Sequence, residues 1–277
     1  MIGTEAQTWI AGHSTVLFPA VFFAVALFEA LRPSRPATAP LALRWFGNIG
    51  VFVLSWPLLI LIPFLSVTGA AVIARQHGFG LFNLLSIPAV VAVPAGVVAL
   101  DFALYWEHRL LHDFPPFWRI HALHHSDTDL DVASYVRHHP FEVVLQAVFD
   151  ISVVIVFGLS PLSVALFTAI TTVVQMTAHS NIELPRAFRW ISPLFVTPEL
   201  HRLHHSQVFE ENNSNFSDVF IFWDRLFGTL RLRPQGELKL GLPEFADVKF
   251  QRLDKMLLLP LLISGGPVTA RPSEVKT

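Results

Sequence analysis

Cysteine is absent from the 277 residues, and charged residues make up only 14% of them. Without cysteine there is no disulfide, no thiolate zinc site and no cysteine-ligated iron–sulfur cluster. The formal net charge is -2 and basic residues form no long run, so no nucleic-acid-binding surface is expected. The chain also lacks a glycine-rich nucleotide fingerprint, an internal repeat and a low-complexity linker. Its opening stretch, MIGTEAQTWIAGHS, has neither the positive n-region nor the small-residue cleavage site of a secretory signal, so the first apolar run is expected to be retained.

Apolar residues fill the space left by charge. They reach 53%, with 25 Phe and 7 Trp, against a soluble-domain charged fraction near ~25%. This is the composition of a membrane protein. Apolar runs at 14–31, 49–74 and 87–106 are each long enough to cross a bilayer core that takes roughly 20 helical residues. Pro57 and Pro63 bend the second. The stretch 141–177 is broken by Gly158-Leu-Ser-Pro161, which predicts a hairpin returning to its starting side. A late run at 256–263 is too short to span and is expected to pack or lie at the interface.

Loop arginines set orientation, and the 32–44 loop, with Arg32, Arg35 and Arg44, is the richest between spans. Placing it in the cytoplasm puts 108–125 and 201–205 on the cytoplasmic face. The expected fold is all-α: an integral membrane helical bundle of about four membrane-spanning helices plus a hairpin, capped by a cytoplasmic histidine-box helical region. Residues 1–95 are expected to form N-terminal transmembrane helices. Residues 96–232 would form the histidine-box catalytic domain with membrane hairpin 141–177, and 233–277 a C-terminal tail.

Of 13 histidines, 11 lie between His108 and His205, and eight of these form three boxes, HRLLH (108–112), HALHH (121–125) and HRLHH (201–205). Imidazole is the commonest metal ligand, so this crowding points to a nitrogen-rich metal site. His108 and His112 are four apart and stack on one helix face. In the other two boxes the first histidine, His121 or His201, precedes its partners by three and four residues and shares a face with both. Asp101, Tyr105, His108 and His112 form one stripe continuing the third span. Pro115-Pro116 and Thr197-Pro198-Glu199 supply helix starts before the second and third boxes. Two, three and three imidazoles suit a dinuclear centre. His179 would reach the same membrane face as a further ligand. His138 and His139 are as well explained by pairing with local carboxylates or carbonyls, and His13 and His77 by ordinary interfacial positions.

Carboxylates lie nearby at Asp101, Glu107, Asp113, Asp127, Asp129, Glu142, Glu199 and Asp218, and metal-bound histidines usually give their second N–H to such groups. Asp127, Asp129 and Asp131 read better as solvated helix ends. Asp101, in or near hydrocarbon, reads as functional or paired.

With these residues in view, the chain resembles the fatty acid hydroxylase/sterol desaturase superfamily of membrane di-iron enzymes. The resemblance runs in order through DFALYWEHRLLHDFPPFWRIHALHHSD (101–127), YVRHHPFE (135–142), HSNIELP (179–185), FVTPELHRLHHS (195–206) and NFSDVFIFWDRLFGTL (215–230). It departs where Ser217 follows Asn215-Phe216, a position often occupied by glycine in the family. It implies metal ligation, and with it the catalytic site, at His108, His112, His121, His124, His125, His201, His204 and His205, with His179 as a ninth ligand. Asp101, His139 and Glu199 are candidates to support them, and His139 matches the family's histidine-proline position.

The resemblance further implies two iron ions, and dioxygen, two electrons and two protons used to insert oxygen into, or remove hydrogen from, an unactivated lipid C–H bond. Electrons would come from a separate electron-transfer protein, docking on Arg119, Arg137, Arg186, Arg189 and Arg202 unless these meet lipid phosphates instead. Other readings are an ether-lipid or carotenoid monooxygenase of the same chemistry, or a non-catalytic metal transporter or sensor. A short chain without an evident retrieval tail points to a bacterial inner membrane rather than an endoplasmic reticulum.

Overall fold

The computed structural model describes residues 4–61 and 66–263, with side chains from 16–58 and 66–263. Among the described residues the chain is helical and has no paired strands, only isolated bridges at Phe195–Phe220 and Ser206–Leu240. The helices are α1 (Thr4–Leu31), α2 (Leu41–Leu61), α3 (Val67–His77), α4 (Leu81–Leu84), α5 (Ala89–Asp113) and α6 (Pro115–His125). After them come α7 (Pro140–Phe157), α8 (Pro161–His179), α9 (Pro198–His204), α10 (Phe209–Asn212), α11 (Phe222–Phe227) and α12 (Leu253–Leu262). Four of these are long and apolar enough to cross a membrane: α2 over Leu41–Leu58, α5, α7 and α8. The apolar stretch Val16–Leu31 of α1 is shorter.

The apolar run 49–74 is two helices rather than one bent span. Ser66 caps a new helix by accepting the Gly69 N–H at 3.0 Å, and the 11-residue α3 that follows is too short to cross. The break at Gly158 makes the expected hairpin. Gly158 ends α7 in the left-handed region (φ 66°), Ser160 caps α8 and Pro161 starts it. Asn83 of α4 donates to the Phe79 and Gly158 carbonyls, so the hairpin tip is tied to α4.

Three apolar clusters hold the bundle. α3, α5, α7 and α8 meet through Ala71, Leu100, Val154 and Phe167. At the α5–α8 crossing Gly96 lies so close to Ser163 that a Cβ there would stand 2.7 Å from its Oγ, the small-residue contact typical of membrane helices. Trp118, Leu123, Met256 and Leu259 join α6 to α12, which therefore packs rather than spans. Phe22, Val132 and Met176 join α1 to α8.

The expectation of solvated ends fails for Asp127 and Asp131. Both are buried, because Arg44 comes inward from α2 and meets them. Its Nε and Nη2 donate to the two oxygens of Asp127, each at 2.8 Å, and its Nη1 donates to Asp131 at 2.6 Å. Burial pushes the Asp127 carboxyl upward, but Arg44 and Arg137 outweigh it and hold the group well below the usual carboxylate range. Asp129 accepts from the backbone of Thr38 and Ala39. Arg137 is also buried, donating to the Leu123 carbonyl, Asn48, Gln251 and Ser126. Arg44 therefore serves the fold, which weakens it as a topology signal.

Candidate metal centre

Helices α5, α6, α8 and α9 converge at one end of the bundle, and each brings histidines to the junction. α5 carries the buried stripe Asp101, Tyr105, His108 and His112. Pro115 at the start of α6 places His121, His124 and His125 in its last two turns, and α8 ends on His179. Pro198 starts α9, which carries His201 and His204 and closes on His205; the Thr197 side chain makes no capping bond.

The donor atoms form two groups, each with its nitrogens within 4.8 Å of one another: His108, His112, His121, His125 and His204, and His124, His179, His201 and His205. All nine rings are buried. In the first group the His125 Nε2 lies 3.1 Å from the Nε2 atoms of both His112 and His121. In the second, Nε2 separations are 3.1 Å for His124–His179, 2.9 Å for His179–His201 and 3.1 Å for His201–His205. Adjacent histidines part company: His124 and His125 go to different groups, and so do His204 and His205.

These spacings fit metal ions. Imidazole nitrogens on bonds of about 2.1 Å stand roughly 3.0 Å apart at right angles and about 4.2 Å apart across the ion. The tautomers fit as well. Nδ1–H donates to the Phe216 carbonyl from His108 (2.9 Å), to the Ser214 carbonyl from His204 (2.7 Å), to the Gln175 carbonyl from His179 (2.8 Å) and to Glu142 from His121 (2.8 Å). Each of these bonds leaves the Nε2 lone pair facing the group. The Nε2 atoms of His108 and His204 are buried with no hydrogen-bond partner. An all-nitrogen donor set of this kind accepts iron, and zinc as well.

Glu142 is the carboxylate that reaches a box histidine. Its Oε1 takes both His121 Nδ1 and His138 Nδ1 at 2.8 Å, and His138 stacks on His124 at 4.5 Å between centroids. Burial disfavours charge on the His138 ring, but Glu142 outweighs it and raises the ring's affinity for a proton. The other supporting candidates bond elsewhere. Asp101 accepts from the Val219 and Phe220 N–H groups and from Trp223 Nε1, Glu199 from the Leu184 N–H, and His139 caps α7 by accepting the Phe141 N–H. Asp101 thus pins segment 219–223 to α5, while Asp224 accepts from the Phe216 and Ser217 N–H groups and fixes the carbonyl that His108 uses. Asn212, whose amide touches His125 Nδ1 at 2.9 Å, has no sequence signal, nor do the carbonyl partners. His77 is exposed at the end of α3, and the side chain of His13 lies outside the described residues.

Burial, followed by repulsion among the rings, drives His124, His125, His201 and His205 well below the ordinary histidine range. Burial takes His204 down to about 3. The rings are thereby kept neutral, the form that ligates metal.

A cavity of about 270 Å³ adjoins both groups, lined by His108, His121, His124, His179 and His201. Phe18, Phe52 and Trp56 from α1 and α2 line it as well, and Trp56 is 57% exposed, which sets this wall at the lipid-facing surface. Glu107, Asp150 and Asp218 also line it. Burial, with Asp101, Asp224 and Asp150 adding to it, pushes Asp218 up to about 8.

A model of the fatty acid hydroxylase family matches residues 93–229. Over 149 residues the chain is 34% identical to an ornithine lipid hydroxylase of Rhizobium tropici, covering 53% of this chain and 44% of that one. It is 27% identical over 135 residues to the alkylglycerol monooxygenase of Homo sapiens, covering 48% and 29%. It is 25% identical over 129 residues to a methylsterol monooxygenase of Arabidopsis thaliana, covering 47% and 48%. The chain thus spans less than half the length of each of these relatives. No solved structure matches.

Proposed function

Because the chain belongs to the fatty acid hydroxylase family, we propose that it is a membrane di-iron oxygenase acting on a lipid C–H bond with dioxygen and external electrons. The observation that carries this reading is the pair of buried histidine groups beside a cavity walled by membrane-length helices. His108, His112, His121, His125 and His204 would hold one ion, and His124, His179, His201 and His205 the other. Bound iron supplies the redox chemistry with dioxygen that imidazole cannot perform alone.

The chain's own residues do the rest. The carbonyls of Phe216, Ser214 and Gln175 hold three rings in the tautomer that ligates, and Glu142 does so for His121 while placing negative charge beside the centre. Burial of all nine rings keeps bulk water from the reacting atoms. The aromatic wall of Phe18, Phe52 and Trp56 offers a lipid a path from the bilayer into the cavity.

The names of the relatives, an ornithine lipid hydroxylase and two monooxygenases of alkylglycerol and methylsterol, support a lipid substrate and hydroxylation. A separate electron-transfer protein completes the proposal. Arg137 and Arg202 are buried and drop out of its docking surface, whereas Arg119, Arg186 and Arg189 are exposed. The bacterial relative supports a bacterial membrane, and a cytoplasmic position of the histidine end rests on the arginines Arg32 and Arg35 of the 32–44 loop.

The deciding experiment is metal content per chain on detergent-purified protein grown with added iron, with lipid oxidation assayed under dioxygen and a reductant. Two irons and an oxidised lipid are expected. A protein with its full iron complement that oxidises no lipid from host membranes would refute the oxygenase reading.

A further inference from the structure

Away from the histidines the cavity wall is mostly apolar, with Leu104, Leu111, Val136 and Val143 among its residues, and three acids interrupt it. Glu107 comes from α5, Asp150 from α7 and Asp218 from the segment before α11, and all three line it. Glu107 is 5% exposed, and its Oε1 has no hydrogen-bond partner. Asp150 Oδ1 and Thr171 Oγ1, also on the wall, are buried and equally unpartnered. Asp150 is ten residues into α7 from Pro140, about 15 Å along the axis and so near mid-span. An ionisable group at that depth is costly and ordinarily has a partner.

Among the described residues no partner is present. The lining contains no lysine or arginine, and the one histidine on it outside the two groups, His138, is bonded to Glu142. Nor do the three carboxylates make a metal site: among the described residues they are not in any set of donor atoms that converges within 4.8 Å. Along α7, Asp150 is eight residues from Glu142, roughly 12 Å, which is too far to support the ring that Glu142 holds.

On the lipid-oxygenase reading, we infer that the unpartnered carboxylates of Glu107 and Asp150 form a subsite for an ammonium nitrogen, so that the substrate is an amine-bearing lipid with its head group in this cavity beside the histidine centre. An ammonium brings donors and counter-charge together, which satisfies the unpartnered oxygens. The C–H bond to be oxidised then lies in or next to the head group, and the acyl chains remain outside past Phe18, Phe52 and Trp56.

The test compares dissociation constants of dodecylamine and dodecanol for the iron-loaded full chain, wild type against Asp150→Asn and Glu107→Gln. Partition into detergent cancels in the comparison of variants. Wild type is expected to prefer the amine by about tenfold or more, Asp150→Asn to lose most of that preference with its iron content unchanged, and exposed Asp247→Asn to keep it. Carbodiimide labelling of Asp150 in the wild type, read by mass spectrometry, should be blocked by the amine and not by the alcohol, which tests the site even if a variant fails to fold. Equal affinity for the two probes in wild type, or a preference that survives both substitutions, would overturn the subsite. Loss of iron in Asp150→Asn would assign the carboxylate to charge balance at the metals and overturn it as well. Lipid oxidation would stand in each of those cases, and a clear amine preference without any lipid oxidation would refute only the oxygenase.

Discussion

His124 and His125 are neighbours in the chain and point about 100° apart on a helix of 3.6 residues per turn, so one box feeds two groups. The i, i+4 pairs 108/112, 121/125 and 201/205 each stay together, while His124 and His204 cross to the other group. His124→Ala should therefore remove one ion in preference to the other, leaving about one iron per chain and no oxidation; retention of two irons would reject the assignment. Glu142→Gln keeps the shape but removes the charge that holds His121 and His138. Metal affinity is expected to fall 10- to 100-fold, about the usual effect of losing an outer-shell carboxylate, as read by competition with a chelator. Arg44→Met strands the buried Asp127 and Asp131 and should cost about 3–5 kcal/mol, measured by denaturant unfolding in detergent; an unchanged midpoint would contradict the buried pairing. The histidines of this scale were legible in the sequence because three boxes repeat one residue type at helical spacing. Glu142 was one acid among eight, and Asn212 one polar residue in a loop, so neither stood out.

Helix ends decide the next scale. α5 carries His108 and His112 at the C-terminal end of its membrane-length span, and the prolines at 115, 161 and 198 restart helices where the chain must turn back. Gly158 is the tightest of these turns, since a Cβ there would collide with the Phe79 carbonyl as well as suffer a φ of 66°. Gly78 has a similar φ of 68° but nothing within 4 Å. Gly78→Ala should cost about 1 kcal/mol, the left-handed penalty alone, and Gly158→Ala clearly more. Equal thermal midpoints for the two variants would show that α4 and the hairpin tip are not packed together as described. The hairpin was readable from Gly158 and Pro161. The split of 49–74 was harder, because hydropathy runs on through α3 and the break rests on the cap formed by Ser66.

For the molecule as a whole, the histidine cluster couples stability to pH. The box rings outside the spans have proton affinities below the ordinary range in the folded chain, with His204 at about 3. Above about pH 6.5 both folded and unfolded chains hold these rings neutral, and they contribute no slope. Below it the unfolded chain takes up protons first, so stability falls as pH drops toward the folded values. Bound metal competes for the same lone pairs, so it should leave over the same window. Thermal midpoints between pH 7.5 and 4.5, with and without chelator, are expected to decline steadily; a flat profile, or full metal content at pH 4.5, would argue against nine imidazole ligands.

Composition alone determined that this chain belongs among membrane helices, and the repeated boxes alone determined that it gathers imidazoles, because hydropathy and helical periodicity are local properties of sequence. Assignment of rings to two groups of five and four required the packing of α5, α6, α8 and α9 against one another. So did the partners of each ring, since Glu142, the Phe216 carbonyl and the Gln175 carbonyl reach the site from different segments. Arg44, counted as a loop charge from sequence, became a buried counter-ion only when residues 83 and 87 positions away met it. The acidic part of the cavity wall arose in the same way, from three carboxylates on three segments that no spacing rule connects, because contacts between distant segments are made by the tertiary fold.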